Sequence, residues 1–237
     1  MDEAEAVELI TGLEGEAARV KENLSKRRRP LIVEFSGTPK AGKSTIINVL
    51  RLFLARNNIN PFVLTERASI SPIQDKNHLF FNVWTGCSTL AQMLDAAQDN
   101  SAYDVVIMDR GIFDALVWMR WLQDSQGQLT AEDRAVIQAF FLLPHWRDRI
   151  DLLYVMEVSP EESLKREFAG QVTRKPGKIM NSKTIAQFND ALARTLAEQA
   201  AVFGNRLLKV DTTGKEPMET GYEVVKTTLE ALDRATV

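Results

Sequence analysis

The sequence predicts an α/β fold, a five-stranded parallel sheet with helices on both faces. Three observations predict it. Short apolar runs recur at residues 31–35, 61–66, 103–109, 151–158 and 205–211. Longer stretches of helical periodicity alternate with them, the pattern of repeated strand–helix units. The runs are also near-continuously apolar, as strands are when both faces of a sheet are covered.

Taken in order, Val7, Ile10, Leu13, Ala17, Val20 and Leu24 fall at spacings of three and four, predicting an amphipathic helix over 2–25. "KRRRP" (26–30) breaks it. That cluster reads as a solvated linker with its aliphatic stems laid on the surface, or as a contact for nucleic acid or an acidic partner. "LIVEF" (31–35) is the first strand, followed by a glycine-containing loop and a helix from Lys43 to about Ala55. "PFVLTE" (61–66) is the second strand, "STLAQMLDAAQ" (88–98) a helix and "YDVVIMD" (103–109) the third strand. Helices at 112–124 and 130–143 flank the turn "DSQGQLT".

"DLLYVMEV" (151–158) is the fourth strand. In "SPEESLKREF", Ser159 caps a helix, Pro160 sits in its first turn, and Glu161 and Glu162 face the dipole's positive end. A basic loop (170–182) precedes a helix over 183–203, then comes the strand "NRLLKVD" (205–211) and a last helix at 217–234. The expected organisation is a helical extension with a basic linker over 1–29 and one α/β domain over 30–237, carrying a lid at about 164–182.

Composition excludes several classes. Twenty-nine basic and 32 acidic residues leave a net charge of -3, which argues against generic nucleic-acid coating. Cys87 is the one cysteine and His78 and His145 the two histidines, so no disulfide framework, thiolate cluster or His-rich metal centre is expected. No apolar run reaches 18 residues and the chain opens acidic, so neither a membrane span nor a signal peptide is expected, and the cytoplasm is the expected location.

Gly37-Thr38-Pro39-Lys40-Ala41-Gly42-Lys43-Ser44, followed by Thr45, fits G-x-x-x-x-G-K-[ST] between a strand and a helix. Glycines let the backbone turn tightly, so successive N–H groups converge on an anion. The helix adds its unpaired N–H groups and the positive end of its dipole. Lys43 reaches the β- and γ-phosphates, and the Ser44 hydroxyl joins the coordination of Mg²⁺. The pattern predicts binding of ATP with Mg²⁺.

Four further stretches bear on where the phosphate goes: Glu66-Arg67, Asp109-Arg110-Gly111 with Asp114, the basic run over 164–181, and Asp211-Thr212-Thr213. With these, residues 31 to about 234 resemble the P-loop kinases of the thymidylate kinase and deoxynucleoside kinase group. The resemblance implies the P-loop kinase fold, with strand order 2-3-1-4-5 and a small lid, and a nucleoside, nucleoside monophosphate or similar small acceptor. It also admits a homodimer.

It implies roles for matching residues. Asp109 would hold Mg²⁺ or orient the acceptor, and Arg110 would bind donor or acceptor phosphate, with a salt bridge to Glu66 or Asp114 as the competing account. Glu66 would take a proton from an acceptor hydroxyl, or Arg67 would clamp an acceptor phosphate. Arg166 and Arg174, assisted by Lys165, Lys175 and Lys178, would cover the transferring charge from the lid. Phe80, Phe81 and Trp84, with Asp114, would build the acceptor pocket, and Asp211-Thr212-Thr213 the adenine-contacting loop. Gly111 departs from the usual third residue of the nucleotide-kinase motif, and the same pattern looks like nicotinamide riboside kinase-like domains.

Two alternatives stand beside this reading: a kinase acting on a polynucleotide or modified base, and a non-kinase ATPase or nucleotide-binding regulator. A GTPase switch is the weaker rival, because no Asn-Lys-x-Asp stretch occurs and the third strand ends in Asp-Arg.

Overall fold

A computed structural model of the chain describes residues 3–64, 66–99, 101–169 and 181–234. Five parallel strands form one sheet: β1 (Leu31–Gly37), β2 (Pro61–Leu64), β3 (Val105–Asp109), β4 (Leu152–Glu157) and β5 (Leu207–Asp211), in the order β2-β3-β1-β4-β5. The order is the expected one, and it puts β1 at the centre. Register aligns Phe35 with Asp109 and Gly37 with Met156, so the glycine loop and the end of β3 emerge along one edge.

The helices are α1 (Glu3–Asn23), α2 (Lys43–Arg56), α3 (Leu79–Ala96), α4 (Ile112–Trp121), α5 (Ala131–Phe141), α6 (Pro144–Arg147), α7 (Pro160–Ala169), α8 (Ser182–Phe203) and α9 (Pro217–Arg234). Successive strand side chains point to opposite faces, so each strand contributes to two cores. Ile32, Val106, Met108 and Leu153 pack under α3, α4 and α8. Leu31, Val33, Phe35, Ile107 and Tyr154 pack under α1, α2 and α9. All seven β1 residues are buried, as the unbroken apolar reading requires, but two of them are Glu34 and Ser36.

Three expectations are corrected. α3 begins at Leu79 rather than near 88, because the His78 ring caps it, Nδ1 accepting from Phe80 N (3.1 Å). Phe80, Phe81 and Trp84 are thus helix residues, not a loop before the helix. Gly86, inside α3, is a packing residue: a Cβ there would lie 2.8 Å from the Phe141 ring of α5. The "KRRR" stretch is less solvated than a linker. Arg29 binds Asp151 through two hydrogen bonds (2.7 and 2.9 Å), and Arg27 donates to Leu232 O (3.3 Å).

On α1, Leu13, Ala17 and Val20 are buried against the α9 side of the core, while Val7 and Ile10 remain exposed. Thr130 and Asp133 form a reciprocal capping box that starts α5. Of the expected lid, residues 164–169 belong to α7 and Asn181 caps α8, while 170–180 lie outside the described residues. Among the described residues no helix is long and apolar enough to cross a membrane.

Candidate active site

The glycine loop follows β1 with the geometry its composition demands. Gly37 has φ +124°, and a Cβ on it would meet Met156 O at 2.0 Å, so no other residue fits. Gly42, at φ +88°, turns the chain into α2. Lys40 also has a positive φ (61°), and its ammonium pairs with the buried Glu167 of α7 at 2.8 Å. That pair and the hydrogen bond from Ser163 Oγ to Pro39 O (2.9 Å) hold the loop's outer limb against α7.

Lys43 is buried, its Nζ donating to Gly37 O (3.0 Å) and Thr38 O (2.8 Å). Burial first, and then the Arg110 cation, pull its pKa from 10.5 to about 7. An ammonium so short of counter-charge is poised for a polyanion. Ser44 Oγ donates to Asp109 Oδ2 at 3.1 Å, bringing the two residues read as metal ligands together. A hydroxyl and a carboxylate, both hard oxygen donors, fit Mg²⁺, which fills its remaining positions with water and phosphate oxygens.

Arg110 adopts a left-handed backbone (φ 69°), unusual for a residue with a side chain. Its amide donates to Phe35 O (2.9 Å), Nε to Glu66 Oε1 (3.0 Å) and Nη1 to both oxygens of Asp114 (2.9 and 3.0 Å). Burial alone would lower its pKa, but the fields of Asp114, Glu66 and Asp109 outweigh that and raise it. The salt-bridge account of Arg110 holds: Glu66 and Asp114 fix its guanidinium at the cavity wall beside the glycine loop.

Asp114, expected at the acceptor pocket, stands at its wall and also holds its neighbours in place. It borders the cavity, but its carboxylate already receives Arg110, Ser36 Oγ (2.9 Å) and Trp118 Nε1 (2.9 Å). Arg166 is likewise engaged within the protein. It donates to Glu162 (3.1 Å), Lys40 O (3.3 Å), Thr212 Oγ1 (3.1 Å) and Thr212 O (2.7 Å), clamping α7, the glycine loop and the turn after β5 together. It is not a free cation over the phosphates. Arg174, Lys175 and Lys178 lie outside the described residues. The buried Thr212 hydroxyl, 3.1 Å from Ala41 O, puts the Asp211-Thr212-Thr213 turn against the glycine loop.

A cavity of about 550 Å³ opens beside the loop, bordered by Pro39, Glu66, Arg67, Phe81, Asp109 and Arg110. Of the three aromatics expected there, only Phe81 lines it. Phe80 is 66% exposed, and Trp84 lies under the Arg67 guanidinium, 5.8 Å from ring centroid to Cζ. Trp118 of α4 supplies the other aromatic wall, a residue that sequence reasoning did not single out. Arg67 Nε donates to Ser88 Oγ (3.0 Å), which fixes that arginine at the rim.

Glu34 is the residue that sequence reasoning missed. Wholly buried on β1, it accepts from Asp114 N (3.1 Å) and so anchors the start of α4 behind Arg110. The signal was a lone carboxylate inside the apolar run "LIVEF". Glu34 also explains Gly111: a Cβ there would lie 2.6 Å from the Glu34 carboxyl carbon. Gly111→Ala is expected to cost about 1–3 kcal/mol by overpacking and to lower turnover as Arg110 shifts, measured by urea denaturation and steady-state rates.

Burial, foremost, pushes the Glu34 pKa from 4.5 up to about 8. The folded chain then keeps a proton that the unfolded chain releases. Glu34's contribution is full below pH 4.5 and is lost as pH rises to about 8. The unfolding free energy from urea denaturation should fall across that window by an amount on the order of a few kcal/mol, and Glu34→Gln should flatten the decline.

A strand–glycine loop–helix unit in a parallel 2-3-1-4-5 sheet, with Ser44 facing Asp109, defines a P-loop nucleotide-binding protein of the P-loop kinase fold. The chain belongs to the AAA_28 family, whose model, described as an AAA domain, matches residues 32–166. No curated protein matches the sequence.

Solved structures share the fold at low identity. Deoxyadenosine kinase from M. mycoides with bound dATP superposes with a TM-score of 0.61 at 15% identity, over 84% of this chain and 100% of that one. The same enzyme with bound dCTP gives 0.60 at 15% identity, over 84% and 99%. Thymidylate kinase from Candida albicans gives 0.57 at 15% identity, over 86% and 95%.

Proposed function

We propose that the chain is an ATP- and Mg²⁺-dependent phosphotransferase that moves the terminal phosphoryl group of ATP to a nucleoside, a nucleoside monophosphate or a similar small acceptor. One observation carries the reading: the glycine loop and the 550 Å³ cavity share a wall, formed by Pro39, Asp109 and Arg110. A donor phosphate on the loop and an acceptor in the cavity would meet at that wall. The solved deoxyadenosine and thymidylate kinases of like fold support the choice of acceptor.

The residues divide the work as phosphoryl transfer requires, by positioning and by charge stabilisation. Amides of the glycine loop and the first turn of α2 grip the polyphosphate. Lys43 turns from the loop carbonyls to the phosphate oxygens. Arg110, locked by Glu66 and Asp114, offers its remaining donors to the group in transit. Glu66, partly exposed at the cavity wall, accepts the proton of an acceptor hydroxyl, while Arg67 at the rim suits an acceptor phosphate. Mg²⁺ held by Ser44 and Asp109 would neutralise charge on the phosphate oxygens.

The test is an acceptor screen with γ-labelled ATP across nucleosides, their monophosphates and short oligonucleotides. Label should appear in a small acceptor, with rates nearly independent of salt. Release of label only as inorganic phosphate, at one rate with or without acceptors, would overturn the reading in favour of an ATPase. Preference for oligonucleotides with steep salt dependence would move the acceptor to a polynucleotide.

A further inference from the structure

We infer a second oxyanion site, at the edge of the sheet opposite the glycine loop, that takes a small phosphate-bearing ligand. A cavity of about 240 Å³ lies there, walled by Ser25, Arg27, Arg28, Arg29, Tyr103 and Asp104. These residues precede β1 and β3, and Leu31 N donates to Asp104 O (2.9 Å), so the cavity marks the N-terminal strand ends. Seven residues of β1 separate it from the glycine loop, roughly 20 Å at the rise of an extended strand.

The cavity has more donors than acceptors. Arg29 is neutralised by Asp151. Arg27 is not: among the described residues it donates to the carbonyls of Arg29 (3.4 Å) and Leu232 (3.3 Å) and to no carboxylate. Burial lowers the Arg27 pKa despite the fields of Asp151 and Asp104, as for a cation lacking a close counter-ion. Arg28 and the hydroxyls of Ser25 and Tyr103 make no hydrogen bond within the described protein, although all three line the cavity.

The Tyr103 ring stacks on Phe62 (4.3 Å, 9°), which fixes where its hydroxyl stands. Asp104 is the only acid in the wall, and its Oδ2 accepts from Asn60 N (2.7 Å). Two guanidinium groups and two hydroxyls thus border the cavity with no carboxylate partner among the described residues, and a tetrahedral oxyanion offers acceptors to all four. The volume suits a phosphate or pyrophosphate group. A polynucleotide would need a track of cations, and the wall instead closes on Asp104.

Pyrophosphate titrated into the Lys43→Ala protein tests the site with the glycine loop disabled, whatever the chain catalyses. Binding should survive Lys43→Ala and weaken about tenfold or more with each of Arg27→Ala and Arg28→Ala, as loss of a charged hydrogen bond predicts. Arg28 is exposed and bonds to nothing within the described residues, so Arg28→Ala should keep the wild-type melting curve, which separates lost binding from lost folding. No binding to the Lys43→Ala protein, or binding indifferent to both arginine changes, would overturn the assignment. A ten-nucleotide single strand binding a hundredfold tighter than pyrophosphate would also overturn it, in favour of a polynucleotide surface.

Discussion

Lys43→Ala is expected to reduce phosphoryl transfer by about 10³-fold or more, because Lys43 is the one buried cation inside the loop that grips the donor. The protein should fold without it, since its ammonium bonds only to Gly37 O and Thr38 O, and removing a buried charge relieves desolvation. A pH signature goes with the rate loss. With a pKa near 7 in the free protein, Lys43 is only partly charged at neutral pH, and a bound polyphosphate favours the charged form. Nucleotide binding should therefore take up a proton and weaken as pH rises above 7. Binding heats in buffers of different ionisation enthalpy measure that uptake.

Arg110→Ala is expected to lower turnover by on the order of 10²-fold. The loss should fall on kcat if the guanidinium covers the group in transit, and on acceptor KM if it only holds the acceptor. Arg110 also links Glu66 to Asp114, so its removal leaves two carboxylates facing each other without the cation between them. A fall in stability should accompany the kinetic loss, read as a lower urea midpoint. Arg110→Lys keeps the charge but cannot span both carboxylates, so it should recover stability better than rate.

The sheet was legible in the sequence because a parallel strand covered on both faces must be apolar throughout, and five such runs stood between helical repeats. The glycine loop was legible because Gly37 and Gly42 occupy backbone conformations, and at Gly37 a close approach to Met156, that admit nothing else. The start of α3 was hidden, because His78 does the capping that serine or aspartate usually does.

Side-chain partnerships were hidden as well. The types of Asp114 and Arg166 suited an acceptor and a lid, but whether a charged group faces a ligand or a neighbouring carbonyl depends on contacts 46 to 126 residues away along the chain. The aromatic wall was half legible: helical phase turns Phe80 outward and Phe81 inward, and that phase could be set only once the true start of α3 was known. Glu34 was visible as an oddity whose purpose appears only when Gly111 is seen to lie against it.

The central claim is that main-chain amides of residues 37–44, with Lys43, hold a triphosphate whose metal is held by Ser44 and Asp109. Titrating ATP calorimetrically into the protein, with and without Mg²⁺, tests it most directly. The account predicts one site of micromolar to sub-millimolar affinity, as for ordinary enzyme substrates, strengthened by Mg²⁺ and lost in the Lys43→Ala protein. No binding at millimolar ATP with Mg²⁺, or binding unchanged by Lys43→Ala, would contradict it.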